Sequence, residues 1–145
     1  MAGKLLVTGG SGYIAGYIIR MAIDAGWEVN TTIRNLARES EVRGWLGADN
    51  ARLHFFAADL MSDTGWAEAV AGCSHVAHVA SPLPTSAPKS DDELIVPARE
   101  GALRALRFAR DAGVKRVVMT SSVAAISYGH RGKTRFTEAD WTDVG

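Results

Sequence analysis

Short apolar, strand-like runs alternate with segments of helical spacing from one end of this chain to the other, and that alternation restricts the fold more than any other feature. Strands are predicted over residues 3–8, 27–34, 53–57, 75–80 and 115–120. Helices are predicted over 13–25, 39–46 and 63–70, and from Asp91 or Asp92 to about residue 112. The first helix is read from the spacing of Ile14, Ile18, Met21 and Ala25 and stops at Gly26, a residue free to take positive φ. Gly113 is the corresponding stop of the last helix, and the acidic pair Asp91 and Asp92 favours its start. A proline-rich loop fills residues 81–88. Strands separated by helices become parallel neighbours, because parallel pairing requires a crossover connection. The expected fold is therefore α/β, a parallel sheet with helices on both faces.

Composition narrows the class without naming an activity. At 145 residues the chain has the size of one domain, and 47% apolar with 22% charged residues is the balance of a soluble globular protein. The net charge is zero and both signs are interspersed, so neither a nucleic acid nor a membrane is an expected partner. The single cysteine, Cys73, excludes an internal disulfide and supports no metal cluster. His75 and His78 are read as packing or surface residues of a strand, and the absence of a leader-like pattern makes a cytoplasmic location the expectation.

The first strand runs into Thr8-Gly9-Gly10-Ser11-Gly12-Tyr13-Ile14-Ala15-Gly16, in which Gly10, Gly12 and Ala15 fit the G-x-G-x-x-G/A dinucleotide fingerprint. The glycines allow a tight turn and close approach of a pyrophosphate, and the next helix offers that anion its unpaired N–H groups. A valine at Gly12 is expected to occupy the pyrophosphate's space and to meet a backbone angle it does not adopt. Ala15→Gly should be harmless. At the end of the second strand, where NAD-binding proteins usually carry an acid, the chain reads Thr32-Ile33-Arg34-Asn35. Arg34, joined by Arg38, suits a 2′-phosphate and makes NADP the expected cofactor, with NAD as the alternative.

These residues resemble the extended short-chain dehydrogenases/reductases of the NAD-dependent epimerase/dehydratase superfamily, and within them the dihydroflavonol-reductase and cinnamoyl-CoA-reductase-like group. Residues 8–15 are similar to its T-G-x-x-G-x-x-G loop, with Ala15 for the last glycine, and Thr32-Ile33-Arg34 to its T-V-R. His78-Val79-Ala80-Ser81-Pro82 resembles its H-V-A-S-P, while Pro97 and Gly101 match its P-x-x-x-G, with Glu100 where asparagine is common. The resemblance implies a Rossmann-type doubly wound sheet, ending here after about the fifth strand. It also implies cofactor contacts from Thr8, Gly9, Gly10, Ser11, Gly12, Tyr13, Ile14, Asp59, Leu60, Val79, Ala80 and Ser81. Residues 115–122 are similar to the strand that carries the family's catalytic serine, which falls on Ser122. Residues 136–141 resemble the stretch before its catalytic tyrosine.

No Tyr-x-x-x-Lys occurs: Tyr13 is followed at that spacing by Tyr17, Tyr17 by Met21 and Tyr128 by Gly132. The expectation is an incomplete dinucleotide-binding domain over residues 1–145, without the substrate domain. It would be the cofactor half of an NADP-dependent reductase of a small-molecule ketone or aldehyde. A non-catalytic dinucleotide-binding module and a nucleotide-sugar epimerase or dehydratase remain open beside it.

Overall fold

The computed structural model describes residues 3–47, 51–83 and 87–145; residues 84–86 of the proline-rich loop lie outside them. In chain order, β1 (Lys4–Val7) leads into α1 (Tyr13–Asp24) and β2 (Glu28–Ile33). A 3₁₀ turn at Leu36–Arg38 opens α2 (Glu39–Leu46), followed by β3 (Leu53–Ala57), α3 (Trp66–Val70) and β4 (His75–His78). Then come α4 (Asp92–Asp111), β5 (Arg116–Met119) and α5 (Ala124–Ser127), a short turn of helix with no apolar periodicity to announce it.

All five strands are parallel, in the order β3-β2-β1-β4-β5. Adjacent residues of a strand point to opposite faces, and β1 shows the consequence. Val7 packs into one core with Ile19 of α1, Val42 and Leu46 of α2, Val29 and Leu53. Its neighbour Leu6 packs into a second core with Ala69 and Val70 of α3, Val76 and Ala109 of α4. Helices thus cover both faces, as the strand-helix alternation requires, and the sheet is doubly wound. Cys73 is buried in the second core, where removal from water pushes its thiol pKa up to about 11.

Two elements depart from the sequence reading. The buried face of α1 is Ala15, Gly16, Ile19, Ala22 and Ile23, whereas Ile14 and Met21 are 54% and 70% exposed. The helix is apolar on two sides, and the side with the small residues is the buried one because it allows close packing, at Gly16 against α2. A Cβ on Gly16 would come within 2.5 Å of the Trp45 ring. The helix expected over 63–70 begins only at Trp66, because Gly65 takes φ +81 and its position is so tight that a Cβ would overlap the Ala57 carbonyl. Asp63 is thereby left outside the helix and pairs with Arg104 and Arg107 of α4.

Candidate functional site

Sheet order makes β1 and β4 neighbours whose following segments diverge, and in open α/β sheets that crevice beyond the strand ends is where ligands lodge. A cavity of about 620 Å³ lies there. Each strand end around it contributes: Gly9, Ser11 and Gly12 after β1, Ile33 and Arg34 at β2, Ala58–Met61 after β3, and Val79–Leu83 after β4.

The loop after β1 is held from beneath by β2. The Thr31 hydroxyl donates to the Val7 carbonyl at 2.8 Å, and Thr32 Oγ1 accepts from the Gly9 amide at 3.0 Å. The Gly10 amide donates to the Thr32 carbonyl at 2.8 Å. Gly9 takes φ +73 and lies close enough to β4 that a Cβ would stand 3.0 Å from that of Ala80. Gly10 is buried, and a Cβ there would sit 2.9 Å from Thr31 Cγ2. Gly12 differs: its φ of −92 is one that valine adopts, so the expected backbone conflict is absent. A Cβ on Gly12 would meet the Gly9 carbonyl at 3.1 Å, a tight contact within the loop, and otherwise stand clear of the protein.

On the far side, Asp59 and Leu60 line the cavity; Asp59 Oδ1 accepts from the Met61 amide at 2.7 Å. Gly101 lets α4 approach until a Cβ would be 3.1 Å from that of Leu60, and Arg104 donates to the Leu60 carbonyl. Arg34 is exposed at the cavity wall and has no ion-pair partner among the described residues. Arg38 is already committed, with Nε and Nη2 donating to Glu41 at 2.9 and 2.8 Å, and does not line the cavity.

Nine of the expected contact residues therefore share one cavity: Gly9, Ser11, Gly12, Arg34, Asp59, Leu60, Val79, Ala80 and Ser81. Thr8 and Gly10 are buried behind it, and Tyr13 and Ile14 are exposed on the first turn of α1. Ser122 is exposed outside the lining, its Oγ accepting from the Ala124 amide at 3.2 Å. Sequence reasoning missed Met61, Trp66, Pro82, Leu83 and Glu93 in the lining, together with the supporting role of Thr31 and Thr32. The signal for the last two was available, since hydroxyls in the middle of a buried strand must find partners.

A dinucleotide fits these residues on the structure's own terms. The first turn of α1 has no side-chain cap and no acidic residue, leaving its N–H groups toward the glycine loop. Among the described residues no cluster of His, Cys, Asp or Glu has the grouping to hold a metal ion.

The sequence profile of the NAD dependent epimerase/dehydratase family matches residues 5–143. The chain belongs to this family. Dihydroflavonol 4-reductase from Hordeum vulgare is 34% identical over 145 residues, which cover 98% of this chain and 41% of that protein. Vestitone reductase from Medicago sativa is 37% identical over 148 residues, covering 98% and 45%. The crystal structure of the alfalfa vestitone reductase superposes with a TM-score of 0.79 at 35% identity, over 97% of this chain and 43% of that one. Yeast methylglyoxal/isovaleraldehyde reductase Gre2, solved in complex with NADPH, gives 0.83 at 23% identity over 98% and 44%, a likeness of fold. The chain spans less than half the length of these family members. The resemblance to the reductase-like group, and the Rossmann-type sheet it implied, both hold.

Proposed function

We propose that residues 1–145 form the NADP-binding unit of a carbonyl reductase. The observation that carries this reading is Arg34. It lines the cavity at the end of β2, lacks an ion-pair partner among the described residues, and has no acid beside it to hold ribose hydroxyls. A guanidinium in that position matches a 2′-phosphate in charge and in bidentate geometry. Gly9, Ser11 and Gly12 with the first turn of α1 take the pyrophosphate; Asp59 and Leu60 flank the adenine. Val79, Ala80 and Ser81 take the nicotinamide half. When bound, the cofactor supplies a hydride to the carbonyl carbon of a ketone or aldehyde. Ser122 is the residue assigned to orient that carbonyl, by its match to the family's serine.

Calorimetric titration of the chain with NADPH and NADH tests the reading: NADPH should bind at least about tenfold more tightly, the equivalent of one charge-assisted hydrogen bond. Equal affinities would sink it. A non-catalytic nucleotide-binding module is the second reading, favoured by Ser122 lying outside the cavity lining.

A further inference from the structure

Thr8 Oγ1 lies 3.0 Å from the Val79 amide, 3.1 Å from the Ala80 amide and 2.9 Å from His78 Nδ1. A hydroxyl oxygen has two acceptor lone pairs and one proton to donate. The two amides can only donate, so they take both lone pairs, and the hydroxyl proton is left for His78 Nδ1. That nitrogen must present a lone pair, which fixes the ring as neutral with its proton on Nε2. His78 is 3% exposed, and burial pushes its pKa below the ordinary histidine value, in keeping with a ring that stays neutral.

We infer that His78 is a positioning residue for the cavity: by accepting the Thr8 proton it aims both Thr8 lone pairs at Val79 and Ala80 and so fixes the wall that faces Gly9. The inference takes from the proposed function only the identity of what the cavity holds.

The groups around the ring leave it to respond to protons alone. Its hydrogen-bond partner just after β1 is Thr8 and its register partner on β5 is Met119, neither of which titrates. Lys115 and Arg116 stand at the other end of β5. On α4, which packs on β4, Glu100 pairs with Arg99 and Arg104 with Asp63. No charged side chain contributes to the depressed pKa. Protonating Nδ1 would set a donor against the Thr8 hydroxyl and force it to turn, withdrawing a lone pair from an amide. Because the folded-state pKa is the lower one, the tie is intact above the ordinary value near 6.5. It is lost as pH falls through the depressed folded value.

The test begins without nucleotide. Long-range ¹⁵N NMR of the wild-type ring should show a neutral Nε2–H tautomer at pH 7. Amide exchange at Val79 and Ala80, corrected for intrinsic pH dependence, should be slow and should quicken in acid. His78→Asn, whose Oδ1 can stand in for Nδ1 without titrating, should retain slow exchange and lose the acid response. His78→Leu and Thr8→Val should exchange roughly fivefold faster, as for the loss of one neutral hydrogen bond, and Thr8→Ser should restore protection. An Nδ1–H tautomer in the wild type, or unchanged protection in Thr8→Val, would overturn the inference. NADPH titration then separates the two claims. A wild type that does not bind defeats the proposed function and leaves the ligand-free results to decide the tie. A wild type that binds no more tightly than His78→Leu, with His78→Asn equal to both, defeats the positioning role.

Discussion

Gly10 and Gly12 stand two residues apart in the same loop yet fail differently when substituted. Gly10 is buried against Thr31, whose own hydroxyl is committed to the Val7 carbonyl, so Gly10→Ala forces the strand beneath to shift. Overpacking of this kind costs about 1–3 kcal/mol, which a lowered urea midpoint would register. Gly12→Val takes a φ that valine adopts and meets only the Gly9 carbonyl within the loop, so it should lower the midpoint less than Gly10→Ala while abolishing NADPH binding. If Gly12→Val binds NADPH normally, the pyrophosphate lies elsewhere. Arg34→Ala should weaken NADPH by about tenfold, the lower end for a charged hydrogen bond because the site is open to solvent, and leave NADH unchanged. Titration of the variant with both nucleotides reads this directly. At this scale the sequence is informative where a residue type has a narrow use: of the glycines and the arginine it picks out, the structure places Gly9, Gly12 and Arg34 in the lining of one cavity. It is silent on which side of the loop each glycine faces, because that depends on β2 lying beneath it, and it places Arg38 beside Arg34 where the structure pairs it with Glu41, three residues later.

Among the elements, α4 does more than cover the sheet. Arg104 is largely buried and reaches both Asp63 and the Leu60 carbonyl, tying the helix to the segment that forms the cavity's far wall. Arg104→Ala leaves that carbonyl without its donor and should cost about 1–2 kcal/mol in chemical denaturation, while also weakening NADPH. Arg107→Ala removes an exposed pairing and the guanidinium's contact over the Phe108 ring, and should shift the midpoint less. Equal effects of the two substitutions would show that the Leu60 contact is unimportant. The strands and long helices were legible because their period is local: β3 and α2 have the bounds expected from the sequence. The orientation of α1 was not, since its two apolar sides are equivalent until Gly16 meets Trp45 from α2. The late start of α3 was hidden too, because it is set by a positive φ at Gly65 against Ala57.

For the molecule as a whole, binding and turnover are separable. Protonating the alkoxide left by hydride transfer needs a positioned acid, worth about 10²–10⁴-fold. These 145 residues hold no Tyr-x-x-x-Lys to supply one. The chain should bind NADPH without oxidising it above background against a panel of aldehydes and ketones. Turnover lost on Ser122→Ala would mean that another acid serves. The strand order has a further consequence, for how the molecule assembles. The N-terminal strand is the central one, so the sheet must grow outward from it in two directions. Toward β2 the partner is close in sequence, and the fully buried residues of the first core all lie within the first 57 residues, with Ala77 and Val79 added from β4 and its end. Toward β4 the partner of Thr8 is 70 residues away, and the second core waits for Ala109. Closing the longer loop carries the larger entropic cost, so the first core should form before the folding barrier and the second after it. Val29→Ala should therefore slow refolding, whereas Val76→Ala should mainly speed unfolding, a difference that chevron plots of the two variants would resolve.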